Sequence, residues 1–194
     1  MKIKDVIISK SYTGFFFDDQ KAIKSGAIHD GFLYVGKPVI PGFTSIRQKG
    51  EAISLQLVLE NGMVGYGDCA AVQYSGTGGR DPLFLADQYI PFIEKHIVPL
   101  LIGESIDSFK TLAEKYDKML IDGKKLHTAI RYGLTQAFLS ATAVSQGITM
   151  AEVVRKEYKI SGMCQKCQDK TFVNNEDTQE EEQSTEEEYE IIEY

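Results

Sequence analysis

Ile53, Leu55, Leu57 and Leu59 alternate with Ser54 and Gln56. This is the period-two pattern of a strand with one buried face. Asn61-Gly62 follows at once. Both residues tolerate positive φ, so a type I′ hairpin turn is expected, with the returning strand over 63–71. A segment rich in Ile and Val at 2–9 predicts a first strand. The three together make an antiparallel meander. The stretch 11–46, with many glycines and aromatics, is too long for a plain connection and is expected to be partly structured or functional.

Beyond Ala71 the period changes to that of helices. Asp81-Pro82 is expected to start the first, with Asp81 capping and Pro82 at the first helical position. Leu85, Tyr89, Phe92, Ile93, Ile97 and Leu100 form its stripe, and Pro91 should kink or split it. A second helix is expected from about Ser105, with Ile106, Phe109, Leu112, Ala113, Tyr116 and Leu120 on one face, ending before Gly123. A third runs over 126–145, carries Ile130, Leu134, Ala137, Phe138, Ala141 and Val144, and closes at Gly147. Its small residues Gly133, Ala137 and Ala141 permit another backbone to approach closely. A fourth begins with the capping box Thr149-Met150-Ala151-Glu152, stapled by Ile148 and Val153, and fades near Tyr158. Strands first and helices after predict an α+β fold, with about four helices following the meander.

Charge divides the chain. Residues 161–194 hold two lysines against eleven acids, a balance of −9, while residues 1–160 hold 19 basic and 17 acidic side chains, a balance of +2. The runs 180–182 and 186–188 leave little to bury, so residues 161–194 are expected to be a disordered acidic tail after a 1–160 domain. Tyr189, Ile191, Ile192 and Tyr194 are its main apolar group. No basic patch suggests nucleic-acid binding. No run of eighteen apolar residues exists, and the charged start does not lead into a signal peptide, so a cytoplasmic location without a membrane span is expected. Three cysteines are too few for a disulfide framework. The 194 residues are too few for a small domain followed by a (β/α)₈ barrel of ~250 residues.

Candidate chemistry is sparse. His29, His96 and His127 share no helical spacing that would make a metal-binding face. His29, beside Asp30, is the one histidine weighed for a site, while His96 reads as a packed residue and His127 as lying at a helix start. Asp18-Asp19 and Asp30 read as surface-turn acids, and Cys69 as a buried thiol. Cys164 and Cys167 make a single CxxC, half of what a structural zinc site needs. No catalytic or metal-ligating residue is assigned. The glycine-rich segment 74–81 lacks the Lys-Ser/Thr of a P-loop and the GxGxxG spacing. It fits a plain surface loop or a lid over a ligand. In the second reading Gln73, Tyr74, Ser75, Gly76, Gly78 and Gly79 are the substrate and lid candidates.

The string Gly65-Tyr66-Gly67-Asp68-Cys69-Ala70-Ala71-Val72-Gln73-Tyr74-Ser75-Gly76, continuing through Gly79-Arg80-Asp81-Pro82-Leu83-Phe84, resembles the N-terminal domain of the methylaspartate ammonia-lyase family. So do Gly14-Phe15-Phe16-Phe17-Asp18-Asp19-Gln20, His29-Asp30-Gly31-Phe32, Arg47-Gln48-Lys49-Gly50-Glu51 and Leu126-His127-Thr128-Ala129-Ile130-Arg131-Tyr132-Gly133. The resemblance runs from Met1 to about Tyr158. It implies an α+β cap over the mouth of a (β/α)₈ barrel, as in the enolase superfamily. It also implies reversible loss of ammonia from 3-methylaspartate to give mesaconate, in glutamate fermentation. The family is homodimeric and uses Mg²⁺ and K⁺, with its metal ligands and acid/base groups on the barrel. No position here corresponds to those groups, so the chain alone is expected to be inactive. What carries over is the cap loop, with Gln73 looking like the residue that reaches toward substrate.

Three readings follow. One is the family's cap, as a truncated or split gene product that is inactive alone. Another is a stand-alone interaction module whose acidic tail binds a partner. The last is a small enzyme built on His29 or Cys69, which no constellation supports. If the Gly133, Ala137 and Ala141 face and the 73–80 loop both face an absent barrel, apolar surface is expected to be exposed there.

Overall fold

The computed structural model describes residues 1–71 and 81–160. Gln73, Tyr74, Ser75, Gly76, Gly78 and Gly79, and the tail with Cys164 and Cys167, lie outside the described residues. The elements in chain order are β1 (Ile3–Asp18), α1 (Gln20–Lys24), β2 (Ile28–Asp30), β3 (Leu33–Val35), β4 (Arg47–Leu59), β5 (Val64–Ala70), α2 (Ala86–His96) and α3 (Val98–Leu101). They continue with α4 (Phe109–Asp117), β6 (Leu120–Ile121), β7 (Lys124–Lys125), α5 (Thr128–Gln146) and α6 (Met150–Glu157). The main sheet is antiparallel in the order β1-β4-β5, the expected meander.

Its first strand is longer than the apolar run at 2–9. β1 continues to Asp18 through a register shift between Tyr12 and Phe16, pairing there with the polar half of β4. Gly50 makes room for this bulge. A Cβ at that position would meet Thr13 Oγ1 at 2.3 Å and the Phe15 carbonyl at 2.5 Å. The rest of the long 11–46 stretch holds α1 and the small hairpin β2–β3. The β4–β5 turn differs from expectation. Only Gly62 has positive φ (85°), Gly62 N–H donates to Leu59 O, and Leu59 N–H donates to Met63 O. This is a three-residue loop closed by a left-handed glycine rather than a type I′ turn. Asn61 caps it by accepting Met63 N–H at 3.1 Å.

The side chains of Ile53, Leu55, Leu57 and Leu59 enter the core, where α5 packs across β5. The approach is backbone on backbone. A Cβ on Gly67 would lie 2.1 Å from Gly133 O and 2.6 Å from Ala137 N, and one on Gly65 would lie 2.6 Å from Ala141 Cβ. α5 also covers the outer edge of β5. Ser140 Oγ accepts Tyr66 N–H at 3.1 Å and Gln136 Oε1 accepts Asp68 N–H at 3.0 Å, which removes an unpaired sheet edge. The Gly133, Ala137 and Ala141 face is therefore buried against this chain's own β5. It does not face an absent domain, because the glycines of β5 are its partner.

The helical half carries five helices among the described residues, and several boundaries move. α2 starts at Ala86, not at Asp81, and no side chain of its own turn caps it; Glu51 of β4 accepts Ala86 N–H at 2.7 Å. Pro91 lies inside α2, and the break comes at Ile97 instead. Pro99 explains this position, since it offers no N–H to the fourth residue before it and its ring crowds that carbonyl. α4 begins at Phe109, capped by Ser108 and by Glu157 of α6, which accepts Phe109 N–H at 2.9 Å and Lys110 N–H at 2.6 Å. Leu120 belongs to the β6–β7 hairpin. Asp122 (φ 49°) and Gly123 (φ 74°) form its turn with positive φ at both central residues, the geometry that Asp-Gly favours. α5 and α6 match expectation, with Gly147 left-handed at the end of one and the Thr149–Glu152 capping box opening the other.

Candidate functional site

Three places position the residues of interest: the ends of the 72–80 segment, the β2–β3 hairpin, and the cleft beside α2. Ala71, at the end of β5, is buried. On the far side Asp81 Oδ2 accepts Thr128 N–H at 2.7 Å, so the acid expected to cap its own helix caps α5 instead. The next residue is tied as well, because Pro82 O accepts from His127 Nε2 at 3.0 Å. Burial pushes the Asp81 carboxyl up, but its bonds to Thr128 and the charges of His127 and Arg131 hold it below the usual carboxylate range. Both flanks of the candidate loop are thus anchored in the core.

The hairpin is held from beneath by Arg47. Its guanidinium reaches Asp18 with two bonds of 2.7 and 2.8 Å and donates to Phe32 O at 2.9 Å. It also lies 5.0 Å from the Tyr34 ring centre and 5.2 Å from that of Phe32. A planar fork is suited to this work, since it pairs with a carboxylate and stacks on rings at once. Asp19 holds the neighbouring turn. Its Oδ1 accepts from Lys21 and Ala22, and its Oδ2 from Val39 and Ile40. Burial raises its pKa, and four backbone N–H groups more than reverse this. Asp18 and Asp19 are therefore buried structural carboxylates, not surface-turn acids. The hairpin displays apolar residues: Ile28, Phe32, Leu33 and Val35 are each more than half exposed, as is Phe15 of β1.

His29 lies exposed on β2 with its ring 5.0 Å from Tyr34. Asp30 is the adjacent strand residue and so points to the opposite face, away from the imidazole. Cys69 is buried under Gly133, and burial holds its thiol protonated, as a packing residue requires. A cleft of about 510 Å³ is lined by Tyr12, Thr44, Lys49, Glu51, Asp87 and Gln88, among others. Its two acids both pair with Lys10, at 3.0 and 2.9 Å.

Among the described residues no group of three His, Cys, Asp or Glu is arranged to hold a metal ion. The buried and clefted carboxylates are each committed elsewhere: Asp18 to Arg47, Asp19 to backbone amides, Glu51 and Asp87 to Lys10, Asp81 to α5. They do not fit a site for Mg²⁺, which takes carboxylate oxygens together with several waters. Sequence reasoning did not single out Arg47. It appeared only within the Arg47–Glu51 string, with a second cation, Lys49, in the same strand, and no local pattern marks its pairing with Asp18.

Residues 1–159 match the family described as the methylaspartate ammonia-lyase N-terminus. The methylaspartate ammonia-lyase of Clostridium tetanomorphum is 63% identical over 158 residues, which is 81% of this chain and 38% of that protein. A crystal structure of β-methylaspartase from the same organism, a Mg complex, overlays with a TM-score of 0.80 at 63% identity and covers 82% of this chain and 38% of that one. The Citrobacter amalonaticus enzyme containing (2S,3S)-3-methylaspartic acid gives a TM-score of 0.80 at 59% identity, covering 83% of this chain and 39% of that one. The chain thus spans somewhat over a third of the length of the relatives it matches. By sequence and fold, it belongs to the methylaspartate ammonia-lyase family and corresponds to that family's N-terminal region.

Proposed function

We propose that residues 1–160 serve as the cap of a methylaspartate ammonia-lyase, with the acid/base and metal chemistry supplied by a barrel domain outside the described residues. The observation that carries this reading is which part of the family the chain matches: residues 1–159 correspond to its N-terminus. The match fills most of this chain and only 38–39% of each relative compared. The committed carboxylates support the same division of labour, since they leave no donor set for a metal among the described residues.

In this reading the chain contributes specificity and exclusion of water rather than proton transfer. Gln73 and Tyr74 would hydrogen-bond the amino-acid substrate, and Ser75, Gly76, Gly78 and Gly79 would let the segment follow it. The anchoring of Ala71 and Asp81 supports this, because a covering segment works only if its ends are fixed. The Arg47-braced hairpin supports the need for a partner. Its apolar residues are displayed on a rigid base and have no cover among the described residues.

The test is complementation. The remaining C-terminal part of the C. tetanomorphum enzyme, expressed separately, is mixed with this chain, 3-methylaspartate, Mg²⁺ and K⁺. The mixture should release ammonia and mesaconate, and Gln73→Ala in this chain should lower the rate. A rate indifferent to the presence of this chain would refute the proposal.

A further inference from the structure

Two stretches of the sequence, 81–84 and 126–133, meet at one histidine. His127 is 8% exposed, and both ring nitrogens are engaged. Nδ1 accepts Ala129 N–H at 3.0 Å, while Nε2 sits 3.0 Å from Pro82 O, which can only accept. This pairing admits one species, the neutral ring with its proton on Nε2. The ring packs against the stacked pair Phe84 and Tyr89, with centroids 5.0 and 5.2 Å away.

Titratable and charged groups face it from several elements. On the 81–85 segment, Asp81 Oδ2 lies 3.9 Å from Nδ1 while accepting Thr128 N–H. On α5, Arg131 stands one turn along and pairs with Asp117 of α4. On α2, Tyr89 presents its ring and phenol.

We infer that His127 is an acid-sensitive clasp: the neutral ring caps α5 through Nδ1 and ties the 81–85 segment to it through Nε2, and protonation at Nδ1 undoes the cap while the Nε2 tie remains. The proton comes from solvent. Once it is on Nδ1, Ala129 N–H faces another donor and loses its acceptor. The new N–H turns to Asp81, the carboxylate paired with Nδ1 among the described residues, and competes with Thr128 for it. Burial disfavours the charged ring and Arg131 adds to this, while Pro82 O and Asp81 favour it. The net effect places the ring below the ordinary histidine range, so the cap on Ala129 holds at neutral pH and is lost in acid, while Nε2–H keeps its bond to Pro82 O. The inference does not depend on the proposed function, since its test reads only this chain.

The experiment is a ¹H–¹⁵N titration of the full chain from about pH 8 to about pH 5, which brackets an unshifted histidine. The ring should start as the Nε2–H tautomer. The Thr128 and Ala129 amides should then move together with one midpoint below ~6.5. Exchange of the Ala129 amide, corrected for its intrinsic rate, should speed up by about fivefold, the effect of a lost helix cap. His127→Asn keeps a capping acceptor but cannot titrate, so its Ala129 amide should stay constant over the range. A ring titrating at the ordinary value, an Ala129 amide indifferent to pH, or the same response in H127N would each overturn the inference. If H127N fails to fold, the titration of the unmodified chain decides alone.

Discussion

The β5–α5 seam and the β2–β3 hairpin use glycine and apolar surface in opposite ways. At the seam, Gly65, Gly67 and Gly133 give up their side chains so that a strand and a helix touch through their backbones. The apolar faces on both sides are then consumed within the chain. At the hairpin, Gly26, Gly31 and Gly36 take positive φ to turn the backbone sharply, and the apolar residues they frame face outward. The first region is a finished core. The second is a rigid display braced by Arg47, Asp18 and Asp19, with no cover among the described residues. The contrast is between apolar surface already spent inside the chain and apolar surface on display among the described residues.

The comparison breaks most readily at the seam. Gly67→Ala places a methyl against Gly133 O, a main-chain atom that cannot swing aside. It should cost roughly 3 kcal/mol or more, the upper range for overpacking, read by chemical denaturation. Unchanged stability would mean that the seam is looser than described. Arg47→Met leaves Asp18 buried without a partner and should cost about 3 kcal/mol, the low end for a broken buried pair. Its amide-exchange effects should concentrate in 28–35 and leave α5 protected. Equal loss of protection in α5 would merge two regions that the account keeps separate.

Asp19→Asn is a sharper probe. Asparagine caps helices as well as aspartate does, yet its amide would turn N–H groups toward the N–H groups of Val39 and Ile40. A loss of about 2 kcal/mol is expected, the cost of buried donors left without an acceptor. The pH dependence follows. The folded Asp19 pKa is depressed, so its contribution is fully present above the unfolded value of ~3.9 and is lost as pH falls through the folded value. D19N should lack that acid limb. The smallest effect belongs to the display itself. Leu33→Ser should change the stability of this chain by under about 0.5 kcal/mol, as expected for an exposed site, while weakening the complementation described above. A large loss of stability would show that Leu33 is core.

The sheet and the last two helices were legible because each rests on a local rule: alternation in β4, a left-handed glycine after α5, a capping box before α6. The caps supplied from elsewhere were not. Asp81 beside Pro82 is locally a helix start, but its carboxylate reaches α5, and α2 takes its acceptor from Glu51. Such exchanges depend on which elements become neighbours, and nothing within one segment encodes that. The same holds for the small-residue face of α5. Its close packing was legible, and its partner was not, because Gly65 and Gly67 lie some seventy positions earlier. Asp122-Gly123 is a missed signal rather than an absent one, since the dipeptide marks a tight hairpin by itself. Of the candidate site, the resemblance pointed to the 73–79 residues, while the clasp at His127 required coordinates.

The most direct measurement is turnover of 3-methylaspartate by the purified chain alone, with Mg²⁺ and K⁺ present, followed as ammonia and mesaconate by mass spectrometry. The account predicts no product above a blank without protein. Product formation that copurifies with this chain, and disappears when its own residues are altered, would contradict it.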